Sequence, residues 1–259
     1  MQKQRFELKY LISEGTALRV REFVQCHLDF DEYSVGKPNY SYPVHSLYLD
    51  SDDLKTYWDT INGDKNRFKL RLRFYSTNAE APVFFEIKRR VNNCIMKQRG
   101  GVRQGCINWL LTGHLPEVDH LVSKNNPNHL VALQRFSELA MRLQAKPKIH
   151  IAYEREAYVS EDDTVRVTLD RGVKAEPNLD TTIKTEMEKP FRSFTSHVIL
   201  ELKFTNRFPT WFGDLVRTFN VMQCGAAKYV ESISRVGHRR LSAIGPLIEE
   251  PPPQLARFW

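Results

Sequence analysis

No apolar run reaches the roughly 18 residues that a membrane-spanning helix needs, so no membrane span is expected. No hydrophobic stretch follows the opening Met1-Gln-Lys-Gln-Arg, which therefore does not read as a secretory signal. Cysteine is scarce and scattered: Cys26, Cys94, Cys106 and Cys224 form no C-x-x-C pair, and none has a histidine at zinc-finger spacing. They read as reduced thiols of a cytoplasmic protein, with no metal role. The eight histidines show no ligand spacing, so His27, His45, His114 and His150 read as ordinary surface or core residues. No internal repeat stands out.

What is present is enough apolar material for one large domain, with 41% hydrophobic and 27% charged residues in 259. The reading places that domain at 1–240, with a helical insertion at about 105–145. A tail over 241–259 contains Pro251-Pro252-Pro253 and is expected to be extended. The net charge is +7, and its distribution is uneven. Between Asp64 and Arg103 lie eleven basic residues against Asp64, Glu80 and Glu86, a local net of +8. The rest of the chain carries 27 basic and 28 acidic residues, so one segment holds the whole excess. That concentration points to a polyanionic partner rather than to a diffusely basic surface.

Period-two alternation dominates the pattern, and it places successive side chains on opposite faces of a strand. It predicts strands over 5–11, 44–50, 67–75, 82–91, 148–159, 164–170 and 198–205. Helices are expected after Ser13, a candidate N-cap, over 106–115 and 127–144, and over 209–222, with a short helix or turn over 52–61 and another short element over 228–235. Arg67, Lys69, Arg71 and Arg73 share one strand face, opposite Phe68, Leu70, Leu72 and Phe74. Four cations at roughly 7 Å spacing repel one another unless anions lie between them, so a simple wet face does not suit them. The pattern Glu-x-Lys recurs at Glu7/Lys9, Glu86/Lys88 and Glu201/Lys203. Carboxylates beside cations on one face suit a divalent ion bound next to phosphate oxygens. The charged faces are therefore expected to line an enclosed channel, with the apolar faces packed outward against helices.

These segments resemble the polyphosphate polymerase domain of the vacuolar transporter chaperone (VTC) family, within the triphosphate tunnel metalloenzyme (CYTH-like) superfamily. The resemblance covers about residues 5–235 and rests on landmarks in family order. They are Phe6-Glu7-Leu8-Lys9-Tyr10, Ser46-Leu47-Tyr48-Leu49-Asp50, the Arg67–Tyr75 segment, and Phe85-Glu86-Ile87-Lys88 with Lys97 beyond. Tyr153-Glu154-Arg155, Val165–Asp170, Leu200–Phe204, Pro209-x-Trp211 and Lys228-Tyr229 follow. The wider superfamily's first glutamate is Arg5 here, which is closer to the polymerase branch than to a metal-rich triphosphatase. A Ser-Lys-Tyr pattern is Ala227-Lys228-Tyr229, and a basic position ahead of Arg67 is Thr60.

The resemblance implies an α+β fold, an eight-stranded antiparallel β-barrel (a triphosphate tunnel) with helices packed outside. It implies ATP and inorganic polyphosphate as partners, Mn2+ or Mg2+ as cofactor, and transfer of the terminal phosphate of ATP to a growing chain. By position, Lys9, Arg71, Arg73, Lys88, Lys97, Arg155, Arg166 and Lys203 match phosphate-contacting residues. Glu201 matches the metal-binding carboxylate, while Tyr153 and Lys228 match residues at the reacting phosphate. Strand parity adds Arg67 and Lys69. A metal-dependent triphosphatase on the same fold and a non-catalytic polyphosphate-binding module remain alternatives. Nucleic acid is not expected, because Phe68 and Phe74 lie opposite the arginines rather than among them. Tyr48, Trp211 and Phe212 read as packing residues, and no protein partner is identified.

Overall fold

The computed structural model describes residues 5–92 and 94–242. The proline-containing tail expected over 241–259 lies, from 243 onward, outside the described residues. Eight long strands close into an antiparallel barrel: β1 (Arg5–Ile12), β2 (Ser41–Asp50), β3 (Asn66–Phe74), β4 (Val83–Val91), β5 (Cys94–Val102), β6 (Lys146–Val159), β7 (Val165–Pro177) and β8 (Val198–Thr205). The order around the barrel is β6-β2-β3-β4-β5-β1-β8-β7, and pairing of β7 with β6 closes the ring. Among the described residues β5 and β1 pair only at Ile95 and Arg5, so the ring is held most loosely at that seam. Two-residue strands, Asp29–Phe30 and Phe191–Arg192, add to β6 and β7 from outside the ring.

Seven of the eight strands follow from alternation in the sequence; β5 does not. It carries Gly100-Gly101, which weakens any strand signal. The structure gives Gly100 a packing reason. A Cβ there would stand 2.6 Å from the carbonyl oxygen of His129 and 3.2 Å from the Leu133 side chain. Both belong to α4 (Pro127–Leu143), so the missing side chain lets this helix lie directly on the barrel wall.

The helices cover the apolar outer faces. After the Ser13 cap, whose hydroxyl accepts from Thr16 N at 3.1 Å, α1 (Glu14–Gln25) buries Ala17, Val20 and Val24. These pack with Tyr158, Val167, Leu169, Leu200 and Leu202, and with Phe212 and Leu215 of α5 (Thr210–Thr218). On the other side, α4 sets Leu133 and Phe136 against Leu70, Leu72, Phe85 and Val102, helped by Ile107 and Leu110 of α3 (Ile107–Leu111). The Phe85 and Phe136 rings meet edge to face at 4.9 Å. Trp211 stacks on His27 at 4.6 Å, and His45 is buried and paired with His150 at 3.1 Å, both packing roles.

The third apolar cluster sits differently. Ile149, Ile151 and Tyr153 share the inward parity of β6, and together with Ile199 they pack under Tyr229 and Ile233 of α6 (Lys228–Val236). Tyr48 stacks on Tyr229 at 5.0 Å, and the Tyr229 hydroxyl donates to Asp50 at 2.6 Å. Asp50 also accepts from Thr56 and Tyr57 at the start of α2 (Lys55–Ile61), tying α2 and α6 to the end of β2. Thus α6 enters the barrel wall from the inner side and brings Lys228 with it. Among the described residues no helix is long and apolar enough to cross a membrane.

A methyl group at Gly100 must push the α4 backbone away. Gly100→Ala should therefore destabilise the fold by about 1–3 kcal/mol, the usual cost of overpacking. Urea denaturation reads this as a lowered midpoint at unchanged slope. An unchanged midpoint would contradict the close contact.

Candidate functional site

The inward faces of the strands line one cavity of about 2570 Å³. Lys9 reaches it from β1; Arg67, Lys69, Arg71 and Arg73 from β3; Lys88 from β4; and Lys97 from β5. Tyr153 and Arg155 come from β6, Arg166 from β7, Glu201 and Lys203 from β8, and Lys228 from the first turn of α6. All the residues singled out from the sequence are thus brought to the same space. The lining holds sixteen basic side chains against six acidic ones.

Carboxylates set behind the lining hold part of this charge in place. Glu86 is fully buried and outside the cavity surface. Two Arg71 N–H groups donate to its Oε2 at 2.8 and 2.6 Å, and Lys97 reaches its Oε1 at 3.0 Å. Arg73 stands 3.8 Å away, bonded instead to Ser46 and, at 3.1 Å, to the Tyr153 hydroxyl. Asp170, also fully buried, takes a two-pronged grip from Arg155, at 2.7 Å on each oxygen, and receives Lys228 at 2.6 Å. Such forks fix the plane of a guanidinium. Arg71 and Arg155 therefore present their remaining N–H groups in set directions.

Inside this layer, Glu201 is ringed by Lys203 at 2.6 Å, Lys9 at 2.8 Å, Lys228 at 3.4 Å and Arg155 at 3.5 Å. Glu7 meets Lys9 and Lys88, each at 3.0 Å. Burial opposes ionisation of Glu201, but Lys203, Lys228 and Lys9 outweigh it and hold the carboxyl well below the usual range. Burial likewise works against the charge on Lys228, yet Asp170 and Glu201 raise it above its ordinary value.

Lys69 has no such support. Its ammonium donates to the Thr60 hydroxyl at 2.6 Å and lies 5.9 Å from the Tyr229 ring centre. Among the described residues it has no carboxylate within ion-pair reach. Burial, with Lys88, Arg67 and Lys9 close by, pushes it down to about 7. Lys203 is pushed down to about 8 by burial despite Glu201. Arg166 pairs with buried Asp31, while Arg67 donates to the backbone carbonyl of Asp64.

The acidic groups do not form a cage for a resident Mn2+ or Mg2+. Among the described residues no three Asp, Glu, His or Cys side chains group as metal ligands. Glu201 and Glu7 instead direct their oxygens at lysines. This donor set fits ion pairing with the lining cations, not a metal held by the protein alone.

Several residues of this arrangement were not singled out by sequence reasoning. Tyr48, read as packing in preference to a substrate contact, both packs on Tyr229 and accepts from Arg71 at 3.0 Å. Burial would raise its phenol, but Arg71 and Arg73 bring it down. Glu86 lay in a quoted motif, but alternation places it on the charged face without revealing that it sits behind the lining. Asp170 ends a quoted motif, and Asp31 lies in an irregular loop with no periodic signal. Thr60, at the position where a base was missing, accepts from Lys69, and Ala227, where a hydroxyl was missing, is the uncapped N-cap of α6.

The family model described as the VTC domain matches residues 4–236. The Schizosaccharomyces pombe vacuolar transporter chaperone complex subunit 4 is 22% identical over 275 residues, covering 91% of this chain. The chain spans 38% of that relative's length. Among solved structures, a candidate adenylyl cyclase, HpAC1, from Hippeastrum, described as having a dominant triphosphatase activity, aligns at 12% identity with a TM-score of 0.45. That alignment covers 90% of this chain and 96% of the other. A chain of the S. pombe Mediator head module aligns at 9% identity with a TM-score of 0.37, covering 90% and 95%. Neither structural likeness is close enough to bear on function.

Because Lys69 is held near neutrality by burial, with like charges adding to it, an anion beside it restores its proton. Between about pH 7 and the unperturbed lysine value near 10.4, binding of a phosphate chain should take up protons at Lys69, and affinity should fall as pH rises through that window. Calorimetry of tripolyphosphate binding at pH 8, in buffers of different ionisation enthalpy, should show more proton uptake for the wild type than for Lys69→Met. Lys69→Met should also leave the free protein as stable or more so, since no ion pair is lost, while weakening tripolyphosphate binding. Equal proton uptake, or a large loss of stability, would contradict the unsupported charge.

Proposed function

The chain belongs to the VTC domain family, and on that premise we propose that its barrel takes in a linear phosphate chain, triphosphate or inorganic polyphosphate, and transfers or releases the terminal phosphoryl group. The observation that carries this reading is the excess of cations over carboxylates in one lumen, with Lys69 left without a carboxylate partner among the described residues. Phosphoryl transfer asks for alignment and charge neutralisation more than for covalent help from the protein. The lumen is suited to both.

In this proposal Arg71 and Arg155, preset by Glu86 and Asp170, orient phosphate oxygens, and Arg73, Lys9, Lys88, Lys97, Arg166 and Lys203 add positive charge along the chain. Arg67 and Lys69 extend the same basic surface. The bond between the terminal phosphorus and its bridging oxygen breaks, and a new one forms to an acceptor oxygen. Charge then builds on the departing oxygen. Lys228, kept protonated by Asp170 and Glu201, suits stabilisation of that charge rather than a base's role. The Tyr153 hydroxyl accepts from Arg73, which leaves its own O–H to donate to a phosphate oxygen. The carboxylates are committed to lysines and arginines, so a Mn2+ or Mg2+ ion would enter as part of the substrate and would supply further neutralisation of phosphate charge, with Glu201 the carboxylate that would face it.

Water as acceptor requires nothing further from the chain and makes the protein a triphosphatase. A second phosphate chain as acceptor makes it an ATP-dependent polyphosphate polymerase that releases ADP; Arg5, in place of a superfamily glutamate, favours this second reading. Ala227 beside Lys228 favours a binder without turnover.

Incubation with ATP and Mn2+, analysed for orthophosphate and on a gel for long anionic chains, separates the three. Orthophosphate alone means hydrolysis, long chains mean polymerisation, and saturable binding without turnover means a binding module. A protein that neither binds nor turns over these compounds would overturn the proposal. If turnover occurs, Arg71→Ala and Lys228→Ala should each lower kcat by about 100-fold or more, the scale of losing a donor aimed at developing charge, with circular dichroism unchanged.

A further inference from the structure

A second cavity, of about 720 Å³, lies on the outer side of the barrel wall, where β2, β6 and β7 meet the short strand Phe191–Arg192. Its volume falls within the roughly 300–1,000 Å³ of small-molecule sites. His45, Ala152, Glu154 and Lys174 line it with outward parity, whereas Tyr153, between two of them, also lines the lumen. The space has a local origin. The pairing of β6 with β7 shifts register between Ala152 and Glu154, and Gly172 stands opposite that irregularity with φ of 58°. A Cβ at Gly172 would meet nothing within 4 Å, so the wall is open there.

Lys174 of β7 and Arg192 of the short strand are direct ladder partners, and both face this cavity. Like charges set directly opposite each other destabilise a sheet. In the lumen buried carboxylates answer such crowding; here nothing does. Among the described residues neither Lys174 nor Arg192 makes an ion pair or a side-chain hydrogen bond. Glu154, two residues along β6 from the ladder partner of Lys174, is the one carboxylate of the cavity lining among the described residues. It lies beyond ion-pair reach of both cations, and burial pushes its carboxyl up against the pull of Lys174. Hydroxyls come from Ser76, Thr77 and Thr185. That of Ser76 accepts from Asn78 N at 3.0 Å, which leaves its O–H to donate.

Two unanswered cations and three hydroxyls suit a small oxyanion, and the carboxylate restricts which one. A carboxylate repels an anion unless the anion offers it a hydrogen. At neutral pH inorganic phosphate keeps at least one hydrogen, and sulfate keeps none. Glu154 can accept the O–H of phosphate, whereas toward sulfate it is an uncompensated negative charge. We propose that the outer cavity is a binding site for inorganic phosphate, separate from the lumen, in which Lys174 and Arg192 pair with the phosphate oxygens and Glu154 accepts the phosphate hydrogen. This goes beyond the phosphate-chain reading and does not depend on it.

Equilibrium dialysis with labelled orthophosphate and labelled sulfate tests it, on the wild type, Lys174→Ala/Arg192→Ala, Lys174→Arg/Arg192→Lys and Glu154→Gln. The wild type should bind phosphate at least about tenfold more tightly than sulfate, the scale of one hydrogen bond to a charged group. Lys174→Ala/Arg192→Ala should weaken phosphate binding by about tenfold or more, while tripolyphosphate binding stays within about twofold. Lys174→Arg/Arg192→Lys keeps both charges and should keep phosphate binding. Glu154→Gln should narrow the gap between phosphate and sulfate. Phosphate binding unchanged in Lys174→Ala/Arg192→Ala would overturn the proposal, as would a wild type that takes phosphate and sulfate alike. A gap untouched by Glu154→Gln would overturn the role of the carboxylate. Equal losses of phosphate and tripolyphosphate would overturn the separateness of the two sites. A wild type that binds phosphate in this way but no tripolyphosphate would support the outer site and count against the phosphate-chain reading alone.

Discussion

Cations gathered inside a closed barrel need counter-charge, and buried Glu86, Asp170 and Glu201 supply it here. Consecutive inward residues of one strand stand roughly 7 Å apart, where two like charges repel by about 2 kcal/mol at an effective dielectric near 20. For Arg71 and Arg73 that repulsion is answered by Glu86, 2.6 Å from one and 3.8 Å from the other. At contact distance the attraction exceeds the repulsion. The carboxylates therefore decide which cations the fold can hold by itself, and they hold them in set orientations. They also give the recurrent Glu-x-Lys pattern a use that involves no metal ion: each glutamate neutralises a lysine or arginine of its own or a neighbouring strand.

That compensation is incomplete, and its gaps have chemical consequences. Arg71, Arg155 and Lys228 are anchored and permanently charged, whereas Lys69 and Lys203 are pushed toward neutrality by burial. The lumen is therefore graded rather than uniformly positive. Anchored groups orient a ligand, and the weakly supported lysines respond to it. A phosphate chain that enters gives Lys69 the counter-charge that the protein withholds. The same withholding weakens the empty fold, which is the usual relation between a functional site and stability.

Much of this was legible in the sequence because strand parity does not depend on knowing the fold. Arg67, Lys69, Arg71 and Arg73 share a face in any extended strand, and the barrel turns that face inward. The family landmarks then carried Lys9, Arg155 and Lys228 to the same lumen, though hundreds of residues can separate them in the chain. Other features were hidden for physical reasons. Strand β5 was missed because Gly100, needed for the approach of α4, and Gly101, which lies against Phe84, remove the side chains that a periodicity would read. Alternation put Glu86 on the charged face but could not distinguish an anchor behind the lining from a group exposed to the ligand. Tyr48 was read as packing, and it packs, but its hydroxyl also serves Arg71.

The central claim is that the interior charge is arranged for a phosphate chain, and a crystal structure with tripolyphosphate and Mn2+ tests it most directly. The account predicts the chain threaded inside the barrel, its oxygens against Arg71, Arg155 and Lys203 and one of them beside the Lys69 ammonium. Tripolyphosphate found only on the outer surface, with the lumen's ion pairs undisturbed, would contradict it.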